Sequence, residues 1–236
     1  ANSAPRSAHR GRAGPCADAL IAARCSRVVA AIEDPDPRVG GQGFARLRAA
    51  GITVEIGIEA KAARELNAGF FARLARGRPM VTLKLATSLD GRIASHSGES
   101  RWITGESARA RVQLLRATHD AVMVGTGTAL KDDPDLTCRL PGLEQPPLVR
   151  VVLDRHLRLP LTHKLVRSAG VAPTWLMTSP RADPARAQMF EESGVQLLTV
   201  AEAPEGLDLG AVLAALGSRG VTRVLCEGGS HVAAAL

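Results

Sequence analysis

The sequence of 236 residues contains no tyrosine, and aromatic residues of all kinds make up 3% of it. Proteins that hold single-stranded nucleic acid alternate basic side chains with aromatic stacking platforms, so nucleic acid is not the expected partner despite a net charge of +7. Cysteine is also scarce. Cys16, Cys25, Cys138 and Cys226 form no Cys-x-x-Cys pair, which fits neither a disulfide framework nor a self-contained zinc finger. The six histidines show no HExxH spacing, so none binds a metal without help from elsewhere. Neither a Gly-x-Ser-x-Gly elbow nor a P-loop ending in Gly-Lys-Ser/Thr occurs, which weakens serine hydrolase and nucleoside triphosphatase readings. No apolar run approaches the roughly 18 residues that a membrane helix needs. The first fifteen residues hold no h-region of a secretory signal, so the expected localisation is cytoplasmic and no membrane partner is expected.

Apolar residues reach 45% of the chain and charged residues 22%, the balance of a globular α/β protein. The positive excess favours an anionic ligand, and a phosphorylated small molecule suits it better than nucleic acid. Short β-branched runs predict strands at 27–32, 52–56, 80–86, 120–124, 149–154, 174–177, 195–200 and 223–226. Helical spacing of apolar residues predicts helices at 17–24, 43–50, 60–75, 106–118, 184–193, 209–216 and 230–236. Alternation of this kind belongs to a mostly parallel sheet covered by helices. The polar turn RGRP at 76–79 marks a boundary, giving an incomplete domain at 1–78 and a larger one at 79–236. The first has only two good strands, too few to bury a core alone. The last helix stops without a stop signal, so the chain reads as truncated at both ends.

Three turns carry chemical interest. TSLDGR (87–92) offers an Asp-Gly turn after a strand. GTGT (125–128) follows another strand and reads either as a phosphate-facing turn or as an ordinary loop leading to Asp132, Asp133 and Pro134. Leu130 stands where a G-x-G-x-x-G fingerprint would place its third glycine. EGGS (227–230) joins the last strand to a helix. Glycines there allow close approach to a pyrophosphate at the helix N-terminus, though a plain tight turn reads equally well.

Taken in order, LKLATSLDGRIA (83–94), SGESRWITG (97–105), LLRATHDAVMVGTGTALKDDPDLTCR (114–139), VVLDRHLRLPL (151–161) and CEGG (226–229) resemble the reductase domain of the bifunctional deaminase-reductases of riboflavin biosynthesis. The resemblance covers essentially everything from Met80 onward. It implies an α/β, dihydrofolate-reductase-like fold that binds NADPH and a phosphorylated pyrimidine substrate, with homo-oligomerisation left open. The reaction implied is NADPH-dependent reduction of 5-amino-6-(5-phosphoribosylamino)uracil by hydride transfer to C1′. Carried over by position, Ser100, Arg116, Leu136, Arg139 and Glu227 match substrate contacts, with Lys84 a lesser candidate. Ala86, Trp102, Thr128, Asp132, Arg155, Gly229, Ser230 and His231 match cofactor contacts. No side chain in this set is an obvious general acid, so the catalytic residue is unknown and water is the expected proton source.

Upstream, GRAGPCADALIAA (11–23), the Asp34-Pro35-Asp36-Pro37 stretch, residues 40–51 and ELNAGFFAR (65–73) are similar to the latter part of the family's cytidine-deaminase-like domain. That domain uses a His-Ala-Glu motif and two cysteines around zinc. Cys16 matches the second cysteine, and Ser7 stands where the first belongs. One thiol cannot complete a four-coordinate site, so zinc is expected only in a complete deaminase domain. Two alternatives stay beside the reductase: a parent protein that also deaminates the pyrimidine precursor hydrolytically, and a non-catalytic fragment that binds NADPH.

Overall fold

The computed structural model describes residues 15–36, 40–100, 103–142 and 148–236. The chain divides into two compact units, residues 1–76 and 77–236, close to the boundary read from RGRP.

In the first unit, α1 (Cys16–Ala22), β1 (Arg27–Ala30), α2 (Gln42–Ala49) and β2 (Thr53–Ile56) form two strand-helix layers. β1 and β2 pair in parallel, Arg27 opposite Thr53. Its core is small: Ala17, Phe44, Leu47 and Ile52 are buried, with Val28 and Val54 packed against them. The helix expected at 60–75 is instead α3 (Ala60–Leu66) and α4 (Ala68–Arg76). The interruption has a local cause. The Asn67 side-chain amide donates to the Ala63 carbonyl at 2.8 Å, which ends one helix just where the Asn67 carbonyl begins the next by accepting from the Phe71 N–H.

The second unit is built on a six-stranded sheet. β3 (Met80–Leu83) begins it, followed by α5 (Glu106–Ala117), β4 (Ala121–Gly125), α6 (Thr126–Asp132), β5 (Val149–Leu153), α7 (Lys164–Arg167) and β6 (Thr174–Thr178). Then come α8 (Pro184–Glu192), β7 (Gln196–Thr199), a small hairpin of β8 (Glu202–Ala203) and β9 (Gly206–Leu207), α9 (Leu209–Ser218), β10 (Arg223–Cys226) and α10 (Ser230–Ala235). The strand order is β3-β10-β4-β5-β6-β7. Every neighbouring pair in it is parallel, so the expected α/β class with a mostly parallel sheet is what the chain forms.

Successive strand residues point to opposite faces, and both faces are covered. Val122, Val124, Val152 and Leu176 pack with Ala129 of α6, Leu165 of α7 and Phe190 of α8. Ala121, Met123, Val151, Met177 and Val224 pack with Val212, Leu213 and Leu216 of α9 and with Val232 of α10. Burial on both sides explains why these strands read as continuous apolar runs. Aspartates start α8 and α9: Asp183 accepts from the Ala185 N–H at 3.0 Å and Asp208 from the Ala211 N–H at 3.1 Å. Near the C-terminus of α9, Gly217 lies so close to the Gly77 carbonyl that any Cβ would collide with it.

The structure departs from the sequence expectation at β3 and at the GTGT segment. β3 stops at Leu83 rather than residue 86, because its partner β10 ends at Cys226 and the Lys84 N–H makes the last bond to the Cys226 carbonyl at 2.9 Å. The GTGT segment is not a loop: Gly125 closes β4 and Thr126 opens α6. That helix ends at Asp133, left-handed with φ 38°, just before Pro134.

Candidate functional site

A ligand crevice in an open parallel sheet forms beyond the strands' carboxyl ends, where neighbouring strands send their chains to opposite faces. β10 and β4 are neighbours of that kind. After β4 the chain turns to the face of α6, and after β10 to the face of α10. The two glycine-bearing segments therefore lie side by side. A Cβ on Gly125 would meet Val232 Cγ2 at 2.9 Å, and one on Gly228 would meet the Val232 Cβ at 3.1 Å, so these glycines let α10 close against β4. Gly127 and Gly229 differ from them. A Cβ on Gly127 meets nothing within 4 Å, and one on Gly229 meets only the Thr128 hydroxyl at 3.6 Å. Neither α6 nor α10 has a side-chain cap, which leaves their first N–H groups available. An open cradle of glycines flanked by two helix starts without side-chain caps fits the pyrophosphate of a dinucleotide.

Of the cofactor positions, Thr128 sits half-buried in α6, facing Gly229. Asp132 is exposed at the end of α6, and Ser230 and His231 are exposed at the start of α10. Ala86 lies three residues past β3 and is half-buried. Trp102 is outside the described residues. Arg155 follows β5, and its Nε donates to Glu202 at 2.8 Å.

The substrate positions gather about α5. Arg116 Nε and Nη2 bond the two carboxylate oxygens of Glu227 at 2.7 and 3.0 Å, with side chains only 10% and 8% exposed. Arg116 Nη1 also donates to the Thr137 carbonyl at 2.9 Å. Among the described residues three of its five N–H groups are thus committed, which leaves two to meet a ligand. Glu227 is placed by its own N–H, which bonds the Met123 carbonyl of β4 at 2.9 Å. Leu136 is buried with φ 54°, and its conformation turns the following residues along α5. Gln113, three residues before Arg116, accepts the Arg139 N–H at 2.9 Å, and its carbonyl accepts the Cys138 thiol at 3.3 Å. The Arg139 guanidinium itself is 65% exposed, 3.5 Å from Asp135, so it is better placed than Arg116 to meet a phosphate. Ser100 is exposed. It follows the turn at Gly98, whose carbonyl accepts from Lys131 of α6 at 2.8 Å. The Asp-Gly turn is also present, with the Ser88 N–H bonding the Arg92 carbonyl and Gly91 at φ 78°.

Gln113 and Thr137 did not emerge from the sequence as site residues. The available signal was Gln113's position one turn before Arg116, on the same helix face. Thr126 and Asp154 were missed too. The Thr126 hydroxyl bonds the Leu153 carbonyl and lies 3.3 Å from fully buried Asp154, whose other oxygen accepts the Leu159 N–H at 2.8 Å. Together they tie the first turn of α6 to the end of β5. Cys226 beside the site is buried, and that burial pushes its thiol pKa up, which removes it as a nucleophile at neutral pH.

Cys16 is exposed at the start of α1, and the described residues contain no group of three or more His, Cys, Asp or Glu able to hold a metal. Ser7 lies outside the described residues. Among them no helix is long and apolar enough to cross a membrane.

Residues 79–236 match the family model described as the RibD C-terminal domain. The chain is 39% identical over 224 residues to riboflavin biosynthesis protein RibD of Bacillus amyloliquefaciens, covering 95% of this chain and 59% of that protein. It is similar to the solved structure of Acinetobacter baumannii RibD, with TM-score 0.85 and 39% identity over 99% of this chain and 63% of the other. The Thermotoga maritima diaminohydroxyphosphoribosylaminopyrimidine deaminase/5-amino-6-(5-phosphoribosylamino)uracil reductase matches with TM-score 0.81 and 34% identity, covering 98% of this chain and 61% of that one. The chain thus spans about three fifths of the length of these relatives.

Proposed function

The chain belongs to the RibD C-terminal domain family, and on that premise we propose that residues 79–236 reduce 5-amino-6-(5-phosphoribosylamino)uracil to its ribitylamino 5′-phosphate with NADPH. The observation that carries this reading is the junction at Glu227–Gly229. There the Arg116–Glu227 pair stands two residues from the open glycine cradle, so a substrate held by the pair lies beside a dinucleotide held by the cradle. NADPH, when bound, supplies a hydride.

The protein's task is then placement. The Thr128 hydroxyl and the first N–H groups of α6 and α10 face the pyrophosphate position, and the Gly127 and Gly229 backbones allow it to come close. Arg139 binds the 5′-phosphate as an exposed cation. Glu227 keeps lone pairs for the hydroxyl groups of the opened ribose, while Arg116 fixes the direction in which they point. With the sugar ring open, C1′ is an imine carbon. It takes the hydride as its nitrogen takes a proton from water. Holding the two reactants in one geometry accounts for the rate gain without a dedicated acid.

The experiment mixes the protein with NADPH and 5-amino-6-(5-phosphoribosylamino)uracil and follows the nicotinamide absorbance. NADPH oxidation matched by ribitylamino product is expected. Oxidation with dihydrofolate but not with the pyrimidine, or no oxidation by folded protein, overturns the reading.

A further inference from the structure

Beyond the ends of β5, β6 and β7, three charged side chains from three connections meet over the sheet edge. Arg155 lies two residues past β5, Arg181 three past β6 and Glu202 three past β7. Glu202 is 12% exposed and receives both arginines: Arg155 Nε at 2.8 Å on one oxygen and Arg181 Nη2 on the other. The connections are fastened to one another by the Arg155 carbonyl, which accepts the Ser179 N–H at 3.2 Å and the Thr178 hydroxyl at 3.1 Å. The Arg181 N–H in turn donates to the Ser179 hydroxyl at 2.9 Å. The cluster carries two cations and one anion. Among the described residues neither Arg155 nor Arg181 has a second acidic partner, so each guanidinium keeps N–H groups for another acceptor.

Its position sets the ligand. β5 and β6 stand one and two strands from β4, roughly 5–10 Å along the sheet edge, the reach from a dinucleotide's pyrophosphate to its adenosine ribose. The Arg116–Glu227 pair lies on the β10 side of the cradle. Hence the nicotinamide end faces that side, and the adenosine end runs toward β5 and β6. We infer that Arg181 and Arg155, positioned by Glu202, form the clamp for the 2′-phosphate of NADPH and so set the preference for NADPH over NADH. Arg181, 74% exposed, swings from Glu202 to the phosphate, while Arg155 stays on Glu202 and offers its Nη groups. The inference rests on the proposed NADPH reading of the β4–β10 crevice.

The test measures binding of adenosine 2′,5′-bisphosphate, 5′-AMP and NADPH calorimetrically at fixed ionic strength in phosphate-free buffer, with folding checked by circular dichroism. The wild-type protein is expected to bind the bisphosphate at least about tenfold tighter than AMP. Arg181→Ala and Arg155→Ala should each lower that ratio by about tenfold and leave AMP affinity unchanged. Arg181→Lys should recover part of it. Glu202→Gln keeps an acceptor for Arg155 but removes the charge that competes for Arg181, so bisphosphate affinity should rise; a fall would overturn the release of Arg181 from Glu202 to the phosphate. Arg219→Ala, at the opposite sheet edge, should change nothing; an equal loss there would make the effect bulk charge and overturn the clamp. Binding of NADPH with no discrimination between bisphosphate and AMP, or a ratio indifferent to Arg181→Ala, overturns the clamp and leaves the reductase reading standing. Failure to bind NADPH at all overturns both.

Discussion

Arg116 and Glu227, 111 residues apart in the chain, share two hydrogen bonds where each side chain is about a tenth exposed. Removing one charge from such a pair leaves the other desolvated without compensation. Glu227→Gln is therefore expected to lower unfolding stability by about 3 kcal/mol, read from the shift of the urea midpoint. Arg116→Lys keeps the charge but loses the planar fork that fits both oxygens. In that variant the KM for the pyrimidine substrate should rise while NADPH affinity stays near the wild-type value, a split that substrate and cofactor titrations separate. Equal loss of both would place the pair outside the substrate contacts. Buried Arg150 shows how a single residue escapes reading. Its Nη groups bond Ser168, Ala172 and Thr174 at 2.6–3.1 Å deep under α7, and burial lowers its pKa. In the sequence it is one arginine in a valine-rich run, with partners 18–24 residues away.

The turns and strand starts carry their own expectations. Gly127→Ala adds a Cβ to open space within a helix, so stability should hold or rise by up to about 1 kcal/mol, while NADPH affinity falls because the cradle is narrowed. Gly125→Ala drives its Cβ to 2.9 Å from Val232 and should cost about 1–3 kcal/mol. Thermal melting with NADPH titration distinguishes the two. At the start of β4, burial lowers the His119 pKa, with the Leu115 carbonyl opposing it. Burial alone would raise the next residue, Asp120, but the Thr222 hydroxyl and N–H and the Arg223 N–H outweigh it and hold its pKa down. Both shifts mean that the unfolded chain binds more protons, so stability falls with falling pH. The His119 contribution is lost first, below roughly pH 6.5, and that of Asp120 below roughly pH 4. Urea midpoints against pH should show both steps, with His119→Gln abolishing the first and Asp120→Asn the second. Elements of this kind were unevenly legible. β5 stood out as a valine-rich run, whereas α6 was hidden because Gly-Thr-Gly-Thr has poor helix propensity and forms a helix here through Thr126, Ala129 and the β5 end.

Across the whole molecule the two units differ in what they bury. Among the described residues the first has one cluster of four buried apolar residues, and the second has two larger clusters covering both faces of one sheet. Local stability follows buried apolar contact, so amides of β1 and β2 should exchange with deuterium well before those of β4 and β5; equal protection would contradict this. The sequence could announce a parallel α/β sheet but not that β10 inserts between β3 and β4, since strand order is settled by long-range pairing that no local pattern records. The crevice depends on that insertion, as does the meeting of Arg116 with Glu227. Individual site residues were legible only through resemblance, because GTGT and EGGS each read as readily as an ordinary turn as a phosphate cradle until both appear at one edge.

Deuterium tracing follows the transferred hydride itself. The protein is given 5-amino-6-(5-phosphoribosylamino)uracil and NADPH labelled at the transferable nicotinamide position, and the product is examined by mass spectrometry and NMR. A ribitylamino product with a single deuterium on C1′ is expected. Product without the label, or label at any other carbon, would contradict it.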